Sequence, residues 1–175
     1  VLGCYLLIIF LGWAYSRSPL RLSYRRMGEV TIFILFGPVP VMGGYFIQSG
    51  IFPDLKSFLL SLPFGFFTAA ILFANEVPDY DEDRKSEKFT GVSVLGPEKA
   101  FLVYLALLIC GVFSIFVSFY LGYLNSWVIL SVLLLFLGAR ASIVLKDFFP
   151  DKSRLVECSK LTITIQSLAG ITLIL

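Results

Sequence analysis

The sequence contains no histidine. That absence removes imidazole acid–base catalysis, the common catalytic triads and most transition-metal centres from consideration. Charge is also scarce: 15% of residues are Asp, Glu, Lys or Arg, against about 25% in soluble domains. The three cysteines, Cys4, Cys110 and Cys158, lie in or beside apolar runs without C-x-x-C spacing. They read as small buried hydrophobes, not as a disulfide or zinc framework. No basic segment precedes the first apolar run, unlike a secretory signal. A net charge of +2 by itself says nothing about nucleic acid, and no nucleic-acid partner is expected.

Apolar side chains are what the sequence has in quantity. Hydrophobic residues make up 58% of the chain and the mean hydropathy is +0.89, which predicts an all-α integral membrane protein in a lipid bilayer. A helix needs about 20 apolar residues to cross the hydrocarbon core. Six runs are candidates: Val1–Tyr15, Val30–Gln48, Phe58–Ala74, Ala100–Tyr123, Trp127–Leu145 and Leu161–Leu175. The second contains Gly37-Pro38-Val39-Pro40 and Gly43-Gly44 and is expected to kink near its middle, and Pro63 falls early in the third. The first run opens at Val1 and the last ends on apolar residues, so residues 1–175 are expected to form one membrane domain cut from a longer protein.

Basic residues alternate between connections. Arg17, Arg21, Arg25 and Arg26 occupy the loop Ser16–Gly28, Arg84, Lys85, Lys88 and Lys99 the next inside loop, and Lys146, Lys152 and Arg154 the last. The intervening connections, Ser49–Ser57 and Gly122–Ser126, hold only Lys56. The positive-inside rule therefore places the three basic loops in the cytoplasm. No protein partner is required by any feature of the sequence.

The loop from Asn75 to Lys99 is too long for a simple connector, and it opens on Asn75-Glu-Val-Pro-Asp79-Tyr-Asp-Glu-Asp83-Arg-Lys-Ser-Glu-Lys88. Asn75, Asp79 and Asp83 are spaced i, i+4, i+8, so one continuous helix would stack them on one face. Such carboxylates repel unless a hard cation lies between them, and Mg2+ prefers a few carboxylates completed by substrate phosphates. Arg84 and Lys88, within about a turn, could neutralise further phosphate oxygens. Asp81 and Glu82 fall on other faces and are expected to be solvated. A plain solvated helix cap is the competing reading. An EF-hand also begins D-x-D-x-D, but its Gly and Glu positions are here Arg84 and Thr90.

The pattern Asn-x-x-x-Asp-x-x-x-Asp-Arg, followed by Lys88-Phe-Thr90 and Leu95-Gly96, resembles the second aspartate-rich motif of the UbiA-type intramembrane prenyltransferases. The loop from Tyr15 through Arg21, Tyr24 and Gly28-Glu29, with Phe36-Gly37-Pro38 and Gly43-Gly44-Tyr45, resembles the menaquinone branch, the 1,4-dihydroxy-2-naphthoate polyprenyltransferases. Two positions depart from the pattern: Val94 stands where many relatives carry Arg, and Glu87 where many carry Gly. The resemblance implies a nine-helix bundle with two aspartate motifs facing a central cavity. This chain would supply the C-terminal portion, about six helices, and only the second motif, so alone it is expected to be inactive.

The implied reaction is Mg2+-dependent transfer of a polyprenyl group from polyprenyl diphosphate to an aromatic acceptor in a prokaryotic cell membrane. The resemblance assigns Asn75, Asp79 and Asp83 to the metal, Lys88 and Arg84 to the diphosphate, Arg21 to the diphosphate or the acceptor carboxylate, and Tyr24 with Tyr15 to the acceptor ring. Arg17, Arg25 and Arg26 rank below Arg21 as candidates, and each basic residue has an alternative role in positive-inside topology. Two other readings stay open. One is a prenyltransferase for 4-hydroxybenzoate, haem or chlorophyll-type acceptors. The other is a cation-binding transporter, although transporters place ionisable groups nearer the bilayer midplane.

Overall fold

Caps and glycine–proline breaks set most of the helix boundaries in the computed structural model, which describes residues 2–147 and 152–174. Helix α1 spans Leu2–Ser16, and a 3-10 turn at Leu22–Tyr24 leads into α2, Gly28–Phe36. Gly37 ends α2 and Pro38 starts α3, Pro38–Ser49. Proline is tolerated in the first turn of a helix but cannot donate within it, so the second apolar run is broken where its composition predicts. Asp54 then caps α4, Leu55–Glu76, by accepting the Ser57 N–H at 2.6 Å. Two short helices follow, α5 at Tyr80–Lys85 and α6 at Gly91–Leu95. Helix α7 runs Pro97–Tyr120, a second 3-10 stretch at Ser126–Val132 joins α8, Leu133–Asp147, and α9 spans Lys152–Ile174. No strand occurs among the described residues.

Among the described residues four stretches are long and apolar enough to cross a membrane: Gly28–Ser49, Leu55–Glu76, Pro97–Tyr120 and Ser126–Asp147. Six were expected. Helix α1 is apolar but short, and α9 begins before the predicted Leu161 with Glu157 and Lys160 on board, which lowers its hydropathy. Residues 148–151, in the third basic loop, lie outside the described residues, as do the end residues Val1 and Leu175. The architecture is that of an all-α integral membrane protein.

Helix α4 is the centre, packed on α2, α3, α7 and α9. Between lipid-exposed helices the hydrophobic effect is weak, so close packing and interhelical hydrogen bonds decide association. Phe67 and Phe73 of α4 are fully buried with Tyr104, Leu108 and Ile115 of α7 and with Leu145 and Ile165 from α8 and α9. Small residues let the backbones close: Gly111 accommodates the Phe67 ring, and Gly138 the Leu108 side chain. Polar ties join the same elements. The buried Tyr104 hydroxyl meets Thr162 Oγ1 at 2.7 Å, while Gln166 Nε2 donates to Thr68 Oγ1 at 3.0 Å. This bundle brings the α4 end, α5, α6 and the Ser16–Gly28 loop together at one end.

Candidate active site

The acidic stretch does not continue α4. Pro78 has no N–H to extend the helix, and α4 stops at Glu76 before α5 restarts with Asp79 at its N-cap position. Asn75, Asp79 and Asp83 therefore lie on two helices, which corrects the expected one-face ladder. Asn75 is exposed and its Oδ1 accepts the Ser159 hydroxyl of α9 at 2.6 Å. Asp79 is exposed. Asp83 is buried, and both its carboxylate oxygens accept from Lys88 Nζ at 3.1 Å. Burial pulls the Lys88 pKa down, but the hydrogen bond and charge of Asp83 outweigh it, with help from Glu76 and Tyr15. The net shift is upward, so Lys88 is a cation throughout the neutral range. Arg84 donates to the Tyr80 hydroxyl at 3.0 Å and stacks over that ring at 5.6 Å. Asp81 and Glu82 are both exposed.

The basic loop folds back onto this stretch. Ser23 is buried and its hydroxyl donates to the Tyr15 carbonyl at 2.7 Å, tying the loop to the end of α1. Arg25 donates to the Pro19 carbonyl at 3.0 Å. Arg21, in the left-handed region at φ 44°, lays its guanidinium over the Tyr24 ring at 5.1 Å. Segments 24–26 and 89 then pair in parallel: the Phe89 N–H donates to the Tyr24 carbonyl at 3.2 Å, and the Arg26 N–H to the Phe89 carbonyl at 2.9 Å. Glu29 completes the junction by accepting the Gly91 N–H at 2.7 Å across 62 positions of chain. The half-buried Tyr15 lies in the field of Glu76, Lys88, Glu29 and Asp83. Between the two loops opens a cavity of about 320 Å³, lined by Arg26, Arg84, Glu87, Lys88, Phe89 and Val94.

A model of the UbiA prenyltransferase family matches residues 1–157. The chain belongs to this family. Among curated relatives, the 1,4-dihydroxy-2-naphthoate octaprenyltransferase of Mycobacterium leprae is 33% identical over 98 residues, covering 56% of this chain and 33% of the relative. The enzyme of the same name from Bacillus subtilis is 31% identical over 90 residues, 51% of this chain and 29% of its own length. The 2-carboxy-1,4-naphthoquinone phytyltransferase of Synechocystis is 34% identical over 88 residues, 50% and 28% of the two chains. This UbiA chain thus spans about a third of the length of the relatives it matches. No solved structure matches it.

Apart from the exposed Asp79, the predicted site residues of the UbiA chain fall into three groups. Arg84 and Lys88 line the cavity, Asp83 holds Lys88 from behind it, and Tyr15 lies in electrostatic reach of both members of that pair. Arg21 and Tyr24 are joined to one another, while Arg26, ranked below them, reaches the cavity instead. Asn75 faces α9. Among the described residues no three Asp, Glu or Cys side chains cluster at metal-holding distance. The donors present are two carboxylates and an amide oxygen, the hard-oxygen chemistry that Mg2+ accepts in the sparse form completed by phosphates. Asn75 Oδ1 is engaged by Ser159 and both Asp83 oxygens by Lys88, so the three donors form no protein-only cage among the described residues.

Two acids were not singled out from the sequence. Glu76 is 5% exposed, lies in the field of the Glu29 carboxyl, and leaves Oε2 without a hydrogen-bond partner among the described residues. Glu29 is the clamp on Gly91. An acid at each membrane edge of an apolar run is the signal that could have marked both, since such a group is expensive there unless held.

Proposed function

We propose that the protein transfers a polyprenyl group from polyprenyl diphosphate to an aromatic acceptor, 1,4-dihydroxy-2-naphthoate, at a site facing the cytoplasm. The observation that carries this reading is the pair of buried Asp83 and partly buried Lys88, with Arg26 and Arg84 beside Lys88 at the end of an apolar bundle. The family and the names of the relatives support it.

Mg2+, if held by Asp79 and Asp83 and completed by diphosphate oxygens, would supply Lewis-acid neutralisation of the departing diphosphate. Lys88, a fixed cation beside Asp83, stabilises the same developing charge by hydrogen bonding in a partly buried site. Breaking the allylic C–O bond releases diphosphate and leaves an allylic cation. A ring carbon of the acceptor then forms the new C–C bond, and in this branch the ring loses its carboxylate as CO2. Apolar room for a prenyl tail exists between α1 and α3, a groove of about 240 Å³ lined by Tyr5, Ile8, Val39 and Phe46. A second acidic motif, which residues 1–175 do not contain, would complete the site. The test uses the full-length protein in membranes with labelled polyprenyl diphosphate. Asp79→Ala and Asp83→Ala should each lower Mg2+-dependent prenylation of the naphthoate by roughly 100-fold or more. Undiminished product removes the assigned roles, and turnover of another acceptor alone moves the protein to a different branch.

A further inference from the structure

We infer that Ser159 of α9 is a positioning residue. It turns the Asn75 amide so that Asn75 serves the diphosphate as an N–H donor and not the metal as an oxygen ligand. This role rests on the prenyl-transfer reading above.

Thr162, Thr164 and Ser167 of α9 each donate to the backbone carbonyl four residues back, the ordinary bond of a hydroxyl inside a helix. Ser159 instead reaches across to α4 and donates to Asn75 Oδ1 at 2.6 Å. An exposed hydrogen bond of this kind adds little to folding, so its effect is one of orientation.

Packing holds the two partners in place. Leu155, Cys158 and Thr162 around Ser159 are fully buried, and Arg140 of α8 donates to Glu157 at 2.9 Å. On α4, the buried Ala74 and Glu76 flank Asn75. Two turns deeper on both helices, Gln166 Nε2 donates to Thr68 Oγ1. A turn beyond that, a Cβ on Gly170 would lie 3.8 Å from the Phe64 ring. The three contacts follow one antiparallel register, which sets the Ser159 hydroxyl opposite Asn75. A slip of one residue would rotate either side chain about 100° away from the seam.

The amide is planar, and its two ends do different chemistry. Oδ1 is the only atom a metal could use, while Nδ2 carries two donors and no lone pair. With Oδ1 held by α9, Nδ2 is left on the other side of the amide, and it makes no hydrogen bond among the described residues. A metal on Oδ1 would have to share that oxygen with the Ser159 proton. The diphosphate completing the shell of a cation on Asp79 and Asp83 offers oxygens that only accept, which is what the free N–H donors need.

The test uses the full-length protein in detergent. At saturating Mg2+, Ser159→Ala should lower kcat/KM for polyprenyl diphosphate roughly 3- to 10-fold with half-saturating Mg2+ unchanged, and Ser159→Thr, which keeps the hydroxyl, should restore most of it. Asn75→Asp keeps an oxygen but removes both donors, and should lower kcat/KM roughly 10- to 100-fold. Gln166→Leu, which breaks the other tie of the same seam, should lower the thermal midpoint and leave kcat/KM alone. Full activity of Asn75→Asp at a reduced Mg2+ requirement overturns the donor role, because the oxygen is then the working atom. A loss in Gln166→Leu as large as that in Ser159→Ala overturns the positioning role, because the effect is then a loosened seam. Calorimetric titration with inorganic diphosphate and Mg2+ reads the same contact without turnover. Weaker binding to Ser159→Ala and Asn75→Asp is expected, and affinities equal to the wild type overturn both roles. If the wild type prenylates no aromatic acceptor, the prenyl-transfer reading fails by itself, and the titration still decides what Ser159 does.

Discussion

Glycine at position 91 leaves room where a side chain would not fit. A Cβ there would fall on Glu29 Oε1 and within 2.9 Å of the Phe73 ring, so the Glu29 carboxylate reaches the Gly91 N–H only because hydrogen occupies that place. Gly91→Ala should therefore destabilise the protein by about 1–3 kcal/mol, the usual penalty for overpacking. Glu29→Gln keeps an acceptor oxygen and should be milder than Glu29→Ala. Thermal unfolding of the full-length variants in detergent checks the order, and an unchanged midpoint for Gly91→Ala would remove the clamp. These residues were partly legible in the sequence. Asp83 and Lys88 declare themselves by charge at the end of an apolar run. Arg26 and Glu29 do not, because which of several neighbouring charges meets position 89 or 91 depends on a pairing between segments far apart in the chain.

Proline and glycine positions dominate at the scale of elements. The break between α2 and α3 crosses α4 where two glycines meet: a Cβ on Gly37 would lie 2.8 Å from the Gly65 Cα, and one on Gly65 2.7 Å from the Phe33 ring. Interhelical hydrogen bonds in membranes average about 0.6 kcal/mol, whereas forcing a methyl into a filled contact costs about 1–3 kcal/mol. Gly65→Ala should consequently destabilise the bundle more than Gln166→Leu, which removes the tie to Thr68. Denaturation from detergent micelles compares the two, and the reverse order would mean that polar ties govern this interface. The kink at Gly37-Pro38 could be read directly. The end of α4 could not, because the i, i+4, i+8 spacing suggested a continuous ladder while Pro78, inside it, withdrew the backbone donor that continuity needs.

Charge placement governs the whole molecule. If the basic loops face the cytoplasm, Ser86→Cys in a cysteine-free background should react with an impermeant thiol reagent only from that side, and Ile51→Cys only from the other. Both positions are exposed, so burial does not mask the outcome. Labelling of both from one face would overturn the topology. The sequence by itself determined the all-α membrane class, the kink and the cluster around Asp83 and Lys88, because hydropathy, proline and charge act locally along the chain. Only the tertiary structure decided that α9 engages Asn75 and that Arg26 rather than Arg21 reaches the cavity beside Lys88. Those outcomes depend on which segments the packing brings side by side. The physical reason is the junction at Arg25 and Phe89, where backbone hydrogen bonds and the Glu29 carboxylate dock two distant loops.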